Sequence, residues 1–368
     1  MTETTKSIYS AEAFEAMKHK DIDAIKAILS KNVHPDELKD EYNNTLLYDL
    51  VKFTLYGFDE ADFELYKLLL EQGADPHQSD FVPLIHCLCK RKEVFGEEMI
   101  RLAIAHKADI HSFAYHEKKS LLQSAAHYGN TWFVKYLIEQ GLDVNYEDAK
   151  GQNVLYEAID GFHGTIETVQ CLLDNGANKQ DLFKLYDGHL ILENLQSSNK
   201  IDLLNYLVSL GVDINATNKG GTSIIVYSAE YGPAEMFTAI LDAGAHLDDC
   251  LSNVLHRIEY RMSCKHAKKA EVENAFEKLK ILYNRNYPVN KIDYYGYNAY
   301  DILTSFVDSM QNRKTMKKYE ENVILALLEM GFVYKGHKYF LEYLQRINNV
   351  RIINYLEANQ KNKGQAIN

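Results

Sequence analysis

The 368 residues carry 40 Lys and Arg against 52 Asp and Glu, a formal balance of −12, and 46% of them are apolar. That balance argues against a chain that wraps duplex nucleic acid, where neutralisation of phosphate by Lys and Arg dominates affinity, and favours encounter with a basic partner steered by a long-range field. Five scattered cysteines, Cys87, Cys89, Cys171, Cys250 and Cys264, form an odd set in a large chain and point to a reducing compartment rather than a disulfide scaffold.

The first twenty residues, "MTETTKSIYSAEAFEAMKHK", place no apolar stretch behind a basic start, so no Sec-type signal is expected. No apolar run approaches the roughly 18 residues that a membrane span needs. These features predict a cytoplasmic protein, or an effector delivered without a Sec signal peptide.

Along the chain one sentence recurs: "LLLEQGADPH", "YLIEQGLDVN", "CLLDNGANK", "YLVSLGVDIN", "AILDAGAHL". Aligned on the glycine that ends each "LLxxG", Gly73, Gly141, Gly176, Gly211, Gly244 and Gly331 are equivalent, with Lys107 and Asn286 standing in at two further places. The intervals are 34, 34, 35, 35, 33, 42 and 45 residues, and a period that holds near 33 and loosens late marks a repeat array. Within one copy, Leu121, Leu122, Ala125 and Ala126 fall on one helical face, and Gly129 breaks the chain. A second amphipathic run with Phe133, Val134, Leu137 and Ile138 inside ends at Gly141, a left-handed C′ position that favours glycine. "EDAKG" then supplies turn chemistry. One such hairpin cannot cover its own apolar faces, whereas stacked copies can.

These segments resemble the ankyrin repeat family. "SLLQSAAHYGNTWFVKYLIEQGLDVN" (120–145), "TSIIVYSAEYGPAEMFTAILDAGAHL" (222–247) and "LYKLLLEQGADPH" (65–77) carry the resemblance best. "NVLYEAIDGFHGTIETVQCLLDNGAN" (153–178) and "NKIDLLNYLVSLGVDIN" (199–215) are weaker copies. The resemblance implies an all-α ankyrin-repeat solenoid of about nine helix-pair units plus a C-terminal capping helix pair. Residues 1–368 would form a single array: an N-terminal capping repeat at 1–40, regular repeats at 41–249, divergent repeats with longer loops and a C-terminal cap at 250–357, and a frayed tail at 358–368. The family's T-P-L-H tetrapeptide survives only as Pro83-Leu84, which predicts less regular stacking than in consensus arrays. The basic stretches 261–273 and 309–321 are expected to be longer inter-helix loops or extended helices.

Catalytic signatures such as G-x-S-x-G, H-E-x-x-H and G-x-G-x-x-G are missing from the sequence. "GFVYKGHK" (331–338) spaces two glycines as a phosphate loop does, but Gly331 follows a helix and no Lys-Ser/Thr pair comes after. His86, Cys87 and Cys89 cannot form a structural zinc site, since the two thiols point apart on a helix and two ligands are too few. Cys264 with His266 fails alike. His127 and His163 sit near hairpin turns, where packing is the simpler role. No cofactor and no metal are expected.

The surface signal is tyrosine, 26 against one Trp, a residue that buries much area at little entropic loss. By family analogy the tyrosines on turn tips and first helices line a concave groove: Tyr115, Tyr128, Tyr146, Tyr156, Tyr227 and Tyr231, with Tyr294, Tyr295 and Tyr297 further on. Interleaved acids are Glu117, Glu147, Asp148, Glu157, Asp160 and Glu230, with Asp293 beyond. Trp132 takes a second-helix position where it serves either as an exposed anchor or as packing. The expectation is a non-catalytic scaffold that grips a protein partner with a basic surface, as an inhibitor or immunity protein or as an effector or adaptor. It would be monomeric when free, with no nucleic-acid or membrane partner. The alternative is an enzyme with its site in the divergent residues 250–368.

Overall fold

The computed structural model describes residues 3–53, 58–77, 82–90, 95–161, 163–247, 250–264, 268–287, 299–310, 313–332 and 337–363. The chain divides into two compact units, Met1–Asp187 and Gly188–Asn368. Both are mostly helical, and no helix among the described residues is long and apolar enough to cross a membrane.

In the first unit, helices α1 (Glu3–Lys18), α3 (Leu46–Phe53), α5 (Leu84–Leu88), α7 (Leu121–His127) and α9 (Val154–Asp160) each precede a partner: α2 (Ile22–Leu29), α4 (Glu60–Glu71), α6 (Gly96–Ala105), α8 (Thr131–Glu139) and α10 (Ile166–Asp174). Each first helix packs on its own partner, and α1, α3, α5 and α7 also pack on the first helix of the next pair. The seam is made of residues small or flat enough for close approach: Leu121, Leu122, Ala125 and Ala126 are buried in α7, against Phe133, Val134 and Leu137 of α8. Helix starts are fixed locally in place of the missing T-P-L-H. Ser120 and Gln123 form a reciprocal capping box, Asn153 Oδ1 accepts from Tyr156 N at 3.0 Å, and Thr45 Oγ1 accepts from Tyr48 N at 3.3 Å. Such caps contribute about 1 kcal/mol each.

The repeat-ending position is left-handed as its residue type requires. Gly141 has φ +87°, its N–H donates to Ile138 O, and Leu142 N–H donates to Leu137 O. Lys107 adopts the same arrangement at φ +69°, with donation to Ile104 O and from Ala108 N to Ala103 O. Asn32, at φ +57° after α2, is a further equivalent that the period did not reveal. Successive pairs are tied beyond their helices: Asn145 Nδ2 donates to Gly176 O at 3.1 Å, and Asn145 Oδ1 accepts from Asn178 N at 2.9 Å. The connection before α7 is a short antiparallel hairpin, β1 (Phe113–Ala114) with β2 (Lys119–Ser120), an addition to the purely helical expectation.

The second unit keeps the scheme with irregularities. Its first α-helix, α11 (Ile201–Ser209), follows 3₁₀ turns at Ile191–Leu195 and Ser198–Lys200 rather than an α-helix, since "QSSNK" ends the apolar run after five residues. Then come α12 (Ile224–Tyr231), α13 (Ala234–Asp242), α14 (Leu251–Ser263), α15 (Lys269–Asn284), α16 (Ala299–Asp308), α17 (Lys318–Glu329), α18 (His337–Arg346) and α19 (Val350–Lys363). The long 42-residue interval is taken up by extended helices, α14 of 13 and α15 of 16 residues against 8 and 9 in α12 and α13. The 45-residue interval instead includes residues 313–317, which lead non-helically into α17.

Candidate functional site

The first helices of the first unit share one register. Thr45 to Lys52, Pro83 to Lys90, Ser120 to His127 and Asn153 to Asp160 align residue for residue. Equivalent positions therefore form columns across neighbouring helices: Tyr48, His86, Gln123, Tyr156 in one; Asp49, Cys87, Ser124, Glu157 in a second; Lys52, Lys90, His127, Asp160 in a third. The third column changes sign along the array, cationic at two positions and anionic at the fourth.

Between α3, α5, α7 and the β1–β2 hairpin lies a pocket of about 250 Å³. Lys52, Lys90 and Lys119 line it with the aromatic groups of Tyr48, Tyr115 and Tyr128. His86 closes its floor: Nε2 donates to Ser112 O at 3.2 Å, so Nδ1 accepts the Ser124 hydroxyl at 2.8 Å. Burial pushes its pKa down to about 4, which keeps the imidazole neutral and structural. Cys87 lines the pocket while Cys89 is buried, its thiol pushed well up by burial, so the thiols do diverge as helical geometry demands.

Beside the pocket, Glu157 is buried at 2% exposure and its Oε2 receives His127 Nδ1 at 2.8 Å and Lys119 Nζ at 2.7 Å. Asp160 adds a third potential ligand atom, so that His127, Glu157 and Asp160 atoms lie within 4.8 Å of one another. A divalent ion spanning them would have to displace the Lys119 ammonium from Glu157, so the chemistry of this group is that of an ion-pair network.

The structure sorts the sequence-predicted residues. Tyr115, at φ +62° and 44% exposed, and Tyr128 stand together on the pocket rim. Tyr156 is half-buried against the Tyr186 ring at 4.6 Å. Tyr146 is elsewhere, beside Phe113 at 5.4 Å in a second pocket of about 220 Å³, with its hydroxyl donating to Lys118 O. Glu117 pairs with Lys150 at 3.0 Å and Glu147 with Lys184 at 3.1 Å. Asp148 and Glu157, expected among the surface acids, are buried instead. Asp148 Oδ1 accepts from Lys150 N and Gln152 N and holds the turn before α9. Trp132 is half-buried on α8, flat against Tyr136 and with the Arg101 guanidinium 4.5 Å from its ring, an arrangement of packing. In the second unit Tyr227 and Tyr231 tilt together at 4.8 Å, Tyr231 being 54% exposed, and Glu230 pairs with Arg257 at 2.6 Å. Asp293, Tyr294, Tyr295, Tyr297 and His266 lie outside the described residues, as does the middle of "GFVYKGHK".

Lys52, Lys90 and Lys119 belong to no motif of their own in the sequence. Alignment on the first helix, rather than on the closing glycine, superposes Lys52 and Lys90 with His127, whereas Lys119 lies on β2 outside that register.

Ankyrin repeats, in three copies, match residues 85–183 as a family. An ankyrin repeat protein of Fowlpox virus (strain NVSL) is 36% identical over 90 residues, 24% of this chain and 23% of the viral protein. The chain thus spans less than a quarter of that relative's length. Residues 85–183 are similar to ankyrin repeats, which generally mediate contacts between proteins.

Proposed function

We propose that the chain is a non-catalytic binding module that grips a protein partner through the first-helix and hairpin face. The observation that carries this reading is the set of part-exposed aromatics on that face of the first unit, Tyr115, Tyr128 and Tyr156; the second unit by itself exposes Tyr231. Aromatic rings with a polar end supply large contact area with few torsions to freeze. The acids Glu117, Glu147 and Asp160 are accessible around them, and the first two are held by lysines that a basic partner would displace. Exposed pairs of this kind contribute little to stability, so exchanging one lysine for another is cheap. The net charge of −12 steers a basic surface towards the chain. Such a grip suits an inhibitor or immunity protein that covers an enzyme's active site, and equally an effector or adaptor; the chain would act as a monomer.

The test is retention of a partner by the immobilised full chain at low salt, its loss as salt rises, and its dependence on the aromatics. Alanine at Tyr115, Tyr128 and Tyr156 together is expected to weaken the complex at least about tenfold, as loss of hot-spot side chains does, with helical circular dichroism unchanged. Retention equal to wild type would place the grip on another face.

A further inference from the structure

The second pocket of the first unit, about 220 Å³, opens between the exit turns of two consecutive repeats, beside the β1–β2 hairpin. Ile110, Phe113, Leu121, Leu142 and Tyr146 give it apolar walls. Phe113 is 49% exposed, and its ring is tilted 41° to that of Tyr146 at 5.4 Å. The Tyr146 hydroxyl donates to Lys118 O at 2.9 Å, which fixes that ring in place. An exposed ring beside an apolar hollow makes a concave site of the kind that takes a side chain. Asp143 is the one carboxylate in the lining. Its Oδ1 accepts from Asn145 N at 2.8 Å, and no lysine or arginine pairs with it among the described residues. Asp109 holds the same place one repeat earlier, with its Oδ1 accepting from His111 N at 2.9 Å, and is likewise in no ion pair. Lys107 and Lys118, on the flanking turns, are exposed and line no part of the pocket, and Lys119 is taken up by Glu157. Apolar walls, two ring faces and an unpaired carboxylate together suit a side chain with an apolar stem and a cationic head.

We infer that this pocket receives an arginine side chain of the protein partner, its guanidinium laid against the Phe113 and Tyr146 rings and turned to Asp143. The inference rests on the protein-binding reading and deepens it, naming the residue by which a basic surface engages this part of the chain. Arginine suits the pocket better than lysine, because a planar, weakly hydrated guanidinium stacks on rings and leaves water more readily than an ammonium. Asp143 is exposed, so its ion pair alone contributes little. Selection comes from the rings and the carboxylate acting on one head group.

The full chain would be titrated with N-acetyl-arginine amide, its uncharged isostere N-acetyl-citrulline amide, N-acetyl-lysine amide and N-acetyl-leucine amide. Backbone amide NMR shifts at residues 110–113 and 142–146 would follow the binding. Saturable shifts are expected with the arginine probe, with the lysine and leucine probes weaker. The citrulline probe should bind at least about fivefold less tightly, the loss of one exposed ion pair and one cation–π contact. Asp143→Asn keeps an acceptor for Asn145 N, and Phe113→Leu keeps the apolar wall. The double variant should therefore bind the arginine probe no better than wild type binds citrulline, and retain a partner correspondingly less, with circular dichroism unchanged. Silence of the arginine probe, or its equal binding by the double variant, overturns the proposal. Equal binding of the leucine probe overturns it in favour of an apolar residue, and equal binding of the lysine probe in favour of any cation. A partner retained equally by wild type and by the double variant defeats the arginine pocket and leaves the protein-binding reading standing. No retained partner, with the arginine probe still bound, defeats that reading and with it the partner as source of the guanidinium.

Discussion

Glu157 Oε2 lies 2.8 Å from His127 Nδ1, across the boundary between two consecutive repeats, and Lys119 approaches the same oxygen to 2.7 Å. A carboxylate at 2% exposure survives only when its charge is answered, so this group locks the hairpin and α7 to α9. Glu157→Gln keeps the shape but leaves the Lys119 ammonium and the His127 ring facing a neutral amide. Breaking a buried pair costs about 3 kcal/mol at the low end of the usual range, the end that applies because Lys119 and His127 each keep 18% exposure. The urea midpoint should fall accordingly with an unchanged slope. A change below about 0.5 kcal/mol, the size of an ordinary surface substitution, would mean that the network contributes nothing to stacking.

Lys107 and Gly141 share one backbone geometry with opposite consequences for substitution. Lys107 pays for a Cβ at φ +69°, so Lys107→Gly should stabilise by about 0.5–1 kcal/mol. At Gly141, where φ is +87° and no atom lies within 4 Å of an added Cβ, alanine should cost about 1 kcal/mol from backbone strain alone. Gly161 fails differently: its Cβ would sit 1.9 Å from His127 O, so Gly161→Ala should cost more than about 2 kcal/mol by overpacking the two hairpin turns. Thermal melts of the three variants should rank in that order.

The repeat-ending turns were legible in the sequence because a left-handed C′ residue is a local demand that glycine meets openly; even Lys107 and Asn286, placed only by period, have φ of +69° and +59°. Asn32 was not, since it precedes Gly73 by 41 residues and the chemistry of asparagine hides the position. The tyrosines at the pocket rim were also legible, from their place on first helices and turn tips. Burial of Glu157 was not, because its partners lie 30 and 38 residues away in the preceding repeat and nothing inside "NVLYEAID" announces them. Asp148 shows the intermediate case: "EDAKG" marks a turn, but which oxygen the turn consumes depends on the fold. The lysines lining the pocket were legible only in part: Lys52 and Lys90 share the first-helix register, whereas Lys119 reaches the pocket from the β1–β2 hairpin.

Asn145 provides a direct measure of coupling between repeats. Its amide donates to Gly176 O and accepts from Asn178 N, bonds between groups 31 and 33 residues apart. Asn145→Ala removes both and should cost about 1–2 kcal/mol, two net hydrogen bonds. Native-state hydrogen exchange would locate the loss: protection of the 176–178 amides should drop more than that of α1 or α2, as expected for nearest-neighbour stacking. Uniform loss of protection throughout the first unit would argue that the repeats open as one block.

Lys278 gives the second unit a pH-dependent stability of unusual sign. Its ammonium is buried on α15, where it donates to Ser228 O at 2.9 Å and Ala229 O at 3.1 Å near the C-terminal end of α12. Those carbonyls favour the charge, but burial outweighs them, Arg261 adds like-charge repulsion, and the pKa falls to about 7 from an ordinary 10.5. Below pH 7 both folded and unfolded chains hold the proton, and the folded chain bears the full desolvation cost. Between pH 7 and 10.5 the unfolded chain binds more protons, so the stability contribution of this site rises with pH; above 10.5 it is level. Lys278→Met removes the titrating group. The variant's advantage in unfolding free energy over wild type, taken from urea titrations at pH 6.5, 8 and 9.5, should therefore shrink as pH increases. A difference independent of pH over that range would show that the ammonium stays charged in the fold, held by the two carbonyls.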